Sequence, residues 1–100
     1  MTWTEIRRSN DLVNDAKAYA VERLKKIFMC VPSEETPTFI LPDGTFMRVF
    51  SMHGKGFNCL GMEYGETSEV FPDDGDLYHI DDYDTPDEMF KAMLEETKRT

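Results

Sequence analysis

Apolar residues recur along the first third of the chain at helical spacing. Ile6, Val13, Ala16, Ala20, Leu24, Ile27 and Val31 follow one another at intervals of three, four and seven, which traces one stripe of a helix. Arg7, Arg8, Lys17, Arg23, Lys25 and Lys26 fall mostly off that stripe. The pattern predicts a helix over residues 2–31. Thr2-Trp3-Thr4-Glu5 opens it as a capping box, and Pro32 closes it by pushing Val31 out of the helical region. Ser9-Asn10-Asp11 predicts a break with a restart near Asp11, because each of these side chains competes for its own backbone.

The pattern then changes to short runs of β-branched and aromatic residues. Thr38-Phe39-Ile40-Leu41 and Thr45 to Phe50 predict two strands joined at Pro42-Asp43-Gly44. Proline suits the second position of a type I turn, and glycine the left-handed position of the bulge that follows. Ser51 to Gly56 predicts a second, longer turn, and Phe57 to Tyr64 a third strand in which Gly61 marks a bulge or tight bend. A fourth strand is expected at Glu69-Val70-Phe71 or at Leu77 to Ile80, with Pro72-Asp73-Asp74-Gly75 between them. Thr85-Pro86-Asp87-Glu88 starts a closing helix over residues 85–99, with a threonine cap and proline in the first turn. Met89, Phe90, Met93, Leu94 and Thr97 form its inner face, and Lys98 and Arg99 complement the helix dipole at its end.

This order predicts an α+β fold: an N-terminal helix, an antiparallel sheet of three to four strands, and a C-terminal helix. One domain spanning residues 1–100 follows from the length, since a typical domain has about 100–150 residues. Leu24, Ile27, Phe28, Ile40, Val49, Phe50, Leu60, Met89, Phe90 and Met93 are the expected core.

Charge changes the picture more than composition does. The chain carries 11 basic and 20 acidic residues, a net of −9. Residues 1–31 hold six bases and four acids, a net of +2, so the remainder is −11. From Gly56 through Phe90 there is no Lys or Arg and there are eleven acids. Direct nucleic-acid binding, which needs Lys and Arg on phosphates, and docking on anionic membranes are both disfavoured. Interspersed charges would satisfy solubility; segregated ones build a field over one face at a cost in self-repulsion. Aromatic residues interleave the acids, as an interface with rigid anchors requires. The expected partner-binding set is Glu63, Glu66, Glu69, Asp73, Asp74, Asp76, Tyr78, Asp81, Asp82, Tyr83 and Asp84.

Other chemistry finds little footing. A calcium loop starting at Asp73 would place Gly75, Leu77 and Tyr78 where an EF-hand needs two oxygen ligands and a glycine. His53, His79, Cys30 and Cys59 lack the paired spacings of a zinc site. Cys59 with His53 or His79 and Asp81 could form a nucleophile only if the thiol were activated, and its apolar strand context works the other way. No catalytic residue, metal or cofactor is expected. The two cysteines read as reduced thiols. The opening residues lack the pattern of a signal peptide, and no apolar run is long enough for a transmembrane helix, so a cytoplasmic location is expected.

Ile40-Leu41-Pro42-Asp43-Gly44-Thr45-Phe46, followed by His53-Gly54, resembles a segment of small domains carried by phages and other mobile elements. It covers a small part of the chain. Small size with a segregated acidic face is similar in kind to DNA-mimic inhibitors, among them some anti-CRISPR proteins. These share no common motif, so no residue role carries over. The expectation is a non-enzymatic inhibitor that occupies a basic, nucleic-acid-binding surface of another protein. The alternative is a small regulatory or structural subunit that binds through its N-terminal helix, with the acids only solubilising.

Overall fold

The computed structural model describes residues 1–31, 36–55 and 57–98; the expected roles of Pro32, Gly56 and Arg99 lie outside them. The capping box forms as read: the Thr2 hydroxyl accepts from the Glu5 N–H at 3.2 Å, and Glu5 accepts from the Thr2 N–H at 3.0 Å. The helix it starts, α1 (Trp3–Ile6), is one turn long. The chain breaks at Arg7 to Asn10 and resumes as α2 (Leu12–Leu24), with Asp11 as its cap accepting from the Asn14 N–H at 3.2 Å. Asp15 pins the break from inside α2. Its carboxylate accepts from the Arg8 and Ser9 N–H groups, each at 2.9 Å, and from the Ser9 hydroxyl at 3.1 Å.

Those bonds to Ser9 and Arg8 hold the Asp15 carboxyl below its ordinary value. A depressed folded-state pKa stabilises the fold above the unfolded value near pH 4, and this is lost as pH falls through the depressed value. The Asp15→Asn variant should therefore show a shallower fall of stability between about pH 5 and pH 2 than the parent, read by urea unfolding at each pH.

The first helix does not reach Val31. α2 stops at Leu24, and residues 25–28 form a turn closed by the Phe28 N–H on the Leu24 carbonyl at 2.9 Å. Met29–Val31 then leaves as β1. A short apolar run fits helix or strand equally by pattern, and here pairing with a neighbouring strand decides it. Ile27, expected in the core, is 48% exposed in consequence.

The five strands lie in the order β1-β2-β3-β4-β5, every neighbouring pair antiparallel. β2 (Thr38–Ile40) and β3 (Phe46–Gly54) meet at the expected turn. There the Gly44 N–H reaches the Leu41 carbonyl at 2.9 Å, and Gly44 takes φ 88°, a left-handed conformation that suits glycine. β3 runs on to Gly54, so residues 51–54 are strand and not turn, and Gly54 pairs with Phe57 at the start of β4 (Phe57–Gly65).

The acidic Asp73–Gly75 stretch is also strand rather than turn: β5 is Asp73–His79, and Glu69–Phe71 is not a strand. Turn-like composition is overridden because this segment completes the sheet against β4. Its register shifts between Gly61 and Glu63, where two residues of β5, Gly75 and Asp76, oppose one of β4. A short 3-10 turn (Ile80–Asp82) leads to α3 (Pro86–Thr97), whose Thr85 cap accepts from the Glu88 N–H at 3.2 Å.

Strand alternation sends Met47, Val49, Leu60, Met62 and Tyr78 to the sheet face that packs on Val13, Ala16, Ala20 and Leu24 of α2 and on Met89, Phe90 and Met93 of α3. Leu24, Val49, Leu60, Met89, Phe90 and Met93 are buried as expected, while Phe28, Ile40 and Phe50 are half-buried. No helix among the described residues is long and apolar enough to cross a membrane.

Candidate functional site

The acids gather on β5 and the segments that flank it. Asp73, Asp74 and Asp76 stand on β5, an edge strand of the sheet. Glu66 and Glu69 precede it, and Asp81, Asp82 and Asp84 follow it in and after the 3-10 turn. All eight are exposed. Tyr83 is half-buried among them: burial pushes its phenol up, and the charges of Asp82 and Asp76 push it further, so turn and strand acids converge on one aromatic ring. The Tyr83 carbonyl accepts from the Trp3 indole N–H at 2.9 Å, which ties α1 to this side.

Glu63, Asp87 and Glu88 each have a defined partner. Glu63 pairs across strands with Arg48, whose Nη2 and Nε lie 2.7 and 2.8 Å from its Oε1, and the guanidinium sits 4.3 Å over the Phe71 ring. Asp87 accepts from the Tyr19 hydroxyl and from Arg23 Nη1 at 2.6 Å; with the amino terminus close by, these hold its carboxyl below the ordinary value. Glu88 accepts from the Asp84 N–H at 3.3 Å.

Tyr78 requires correction. Expected at the surface, it is 6% exposed, with its ring in the core and its hydroxyl turned inward. Its strand position places it opposite Leu60 on the helix-facing side of the sheet, so the core takes it. Burial, and then its bond to Glu96, push its phenol far above the ordinary value.

Glu96 is the residue that sequence reading missed. It is 7% exposed, and it organises the acidic side from beneath. One carboxylate oxygen accepts from the Tyr78 hydroxyl at 2.6 Å and from the Asp76 N–H at 2.8 Å; the other accepts from the Tyr64 hydroxyl. A buried carboxylate thus satisfies the backbone of the β5 bulge and two phenols together. Above it lies a depression of about 480 Å³ bordered by Thr45, Tyr64, Asp73, Asp74 and Asp76. The available signal was spacing: Glu96 falls three residues after Met93 and seven after Met89, on the inner stripe of α3.

Cys59 is fully buried and stands opposite His79 in the β4–β5 register; burial pushes its thiol up, away from a reactive thiolate. His53 instead meets Asp11, at 2.9 Å. Among the described residues, no group of three or more His, Cys, Asp or Glu is placed to hold a metal ion. Comparison with protein-family models, curated proteins and solved structures finds no match to the chain.

Proposed function

We propose that the chain is a non-enzymatic binding protein that lays its acidic side on a basic, nucleic-acid-binding surface of a partner protein and so blocks it. The observation that carries this is the set of eight exposed acids from Glu66 to Asp84, along a stretch without any Lys or Arg. Asp73 to Asp76 spans about 10 Å of the edge strand at about 3.3 Å rise per residue, with Asp74 on the face of Glu63 and Asp73 on the face of Tyr64, so their charges flank both sides of this edge. Glu96 holds the bulge that carries Asp76, and a surface held rigid in advance binds at lower entropic cost.

Replacing Asp73, Asp74 and Asp76 together by Lys is the direct test. The variant should fold with unchanged or slightly higher stability, because like-charge repulsion is relieved. Its association with a nucleic-acid-binding protein captured by the parent should weaken by more than about tenfold, mainly through slower encounter, and the parent's own binding should fall steeply with salt. Equal capture by the folded variant at low and high salt would overturn the proposal. The outer face of α2 with Lys17, and the turn after it with Lys25 and Lys26, would then be the contact to map.

A further inference from the structure

The sheet has a second face, turned away from α2 and α3. Strand register puts Phe46, Phe50 and Met52 of β3 on it, with Leu77 of β5 opposite Gly61 of β4. Met29 and Val31 of β1 stand on the same side, because Met29 lies opposite Ile40 and Ile40 opposite Phe46. Gly65, also opposite Phe46, carries the backbone of Val70 above it: a Cβ on Gly65 would strike the Val70 carbonyl. Of the large apolar side chains exposed among the described residues, all but Met1 and Ile27 thus gather here: Met29, Val31, Met52, Val70 and Leu77. Monomeric proteins rarely expose so contiguous an apolar surface, and one this large marks a place of contact.

The face holds both a projection and a recess. Val70 projects, 62% exposed, on a segment fixed at two points. The Thr67 hydroxyl accepts from the Val70 N–H at 3.3 Å, and the Arg48 guanidinium lies 4.3 Å over the Phe71 ring. The recess is a depression of about 360 Å³ whose apolar lining is Phe50, Met52 and Leu77. Phe50 lies flat across Gly61, where a Cβ would strike its ring. Gly65 and Gly61 are four residues apart on β4, so projection and recess stand about 13 Å apart at about 3.3 Å per residue. A two-fold axis crossing the strands midway, level with Glu63, seats each Val70 in the other copy's recess, and the two sheets then pack with their strands near alignment.

Size and charge both fit a second copy. β3 and β4 are nine residues long, about 30 Å, and β3 to β5 span about 14 Å at about 4.8 Å per strand. With the three-residue strands β1 and β2 beyond them, two facing copies share a flat footprint of about 1,000 Å², which reaches the size of a specific interface. By strand register the charged residues on this face are Arg48, Glu63 and Asp74, a net of −1 against −9 for the chain. Arg48 and Glu63 already pair with each other. Most of the charge that sets one copy against another therefore lies off the contact.

We infer that this face joins two copies of the chain in a two-fold pair, with Val70 of each in the Phe50–Met52–Leu77 depression of the other. The pairing is independent of acidic docking, and salt acts on the two in opposite directions. Docking on a basic surface weakens as salt rises, whereas two chains of −9 repel less when screened and associate more tightly. Asp74 lies opposite Glu63, level with the axis, and so faces its own counterpart across the pair.

Sedimentation velocity of the parent, from about 1 μM to about 1 mM protein, should show a monomer–dimer equilibrium that tightens on going to about 0.5 M NaCl. Val70→Asp and Leu77→Ser should each weaken it at least about tenfold, and Asp74→Asn should strengthen it. In the parent, mixed from isotope-labelled and unlabelled copies, intermolecular NOEs should join the Val70 methyls to Met52 and Leu77, a readout that does not depend on how a variant folds. A monomer at the highest concentration and salt overturns the pairing and leaves the face to a different partner. Dimers that both variants form as the parent does, or intermolecular NOEs that miss these side chains, overturn it as well. Failure of acidic docking would show instead in the lysine triple variant's capture of a basic partner, which this equilibrium does not measure.

Discussion

Truncation of Phe90 to alanine is expected to cost about 3–5 kcal/mol, a large share of the ~5–15 kcal/mol that holds a domain together. The ring is 2% exposed in the inner face of α3, and the Arg23 guanidinium lies 4.5 Å over it. Its removal therefore takes away apolar burial, leaves a cavity where helix and sheet meet, and strips a cation of its aromatic partner. In urea the midpoint should drop with little change in slope, and Phe90→Leu should recover more than half of the loss. A loss below about 1 kcal/mol would mean that α3 does not seat on the sheet through this ring.

The second large effect is expected at Glu96. Glu96→Ala leaves the Tyr78 hydroxyl and the Asp76 N–H without their acceptor, and a buried polar group left unsatisfied costs about 1–3 kcal/mol. Two such groups give a loss of about 2–6 kcal/mol, against the usual few tenths for an exposed helix glutamate. The loss should also be local: hydrogen exchange at the Asp76 amide should speed up more than at β3, because the bulge is freed before the sheet opens. If exchange at Asp76 is unchanged while global stability falls, the carboxylate supports the helix and not the strand.

What was legible in the chain was whatever short-range chemistry decides. Thr85-Pro86 starts a helix because hydroxyl and ring each suit one backbone position, and Pro42-Asp43-Gly44 turns the chain because Gly44 takes the left-handed conformation that follows. The break after Ile6 was visible in three side chains that compete with the helix for hydrogen bonds. What stayed hidden was decided at a distance. Nothing near Met29 says that Cys30 will lie opposite Phe39, and nothing in Pro72-Asp73-Asp74-Gly75 says that β4 will claim it as a strand. At the candidate site the exposed acids were readable from charge alone. The inward turn of Tyr78 was not, because it depends on strand parity, which a bulge resets by one residue.

The β5 acids have a further effect that involves no partner. A sheet of five strands ends in two edge strands, and edges without a further strand beside them invite other chains to join and grow into fibrils. At one end β1 offers only three residues, too short to template much pairing. At the other, seven residues of β5 would suffice, but the Gly75–Asp76 bulge kinks that edge and three aspartates crowd it with charge. Self-assembly is thus blocked by the same residues proposed to dock. Lysines placed there would keep the block by repelling each other in turn, whereas uncharged β-formers in their place would open the sheet to polymerisation.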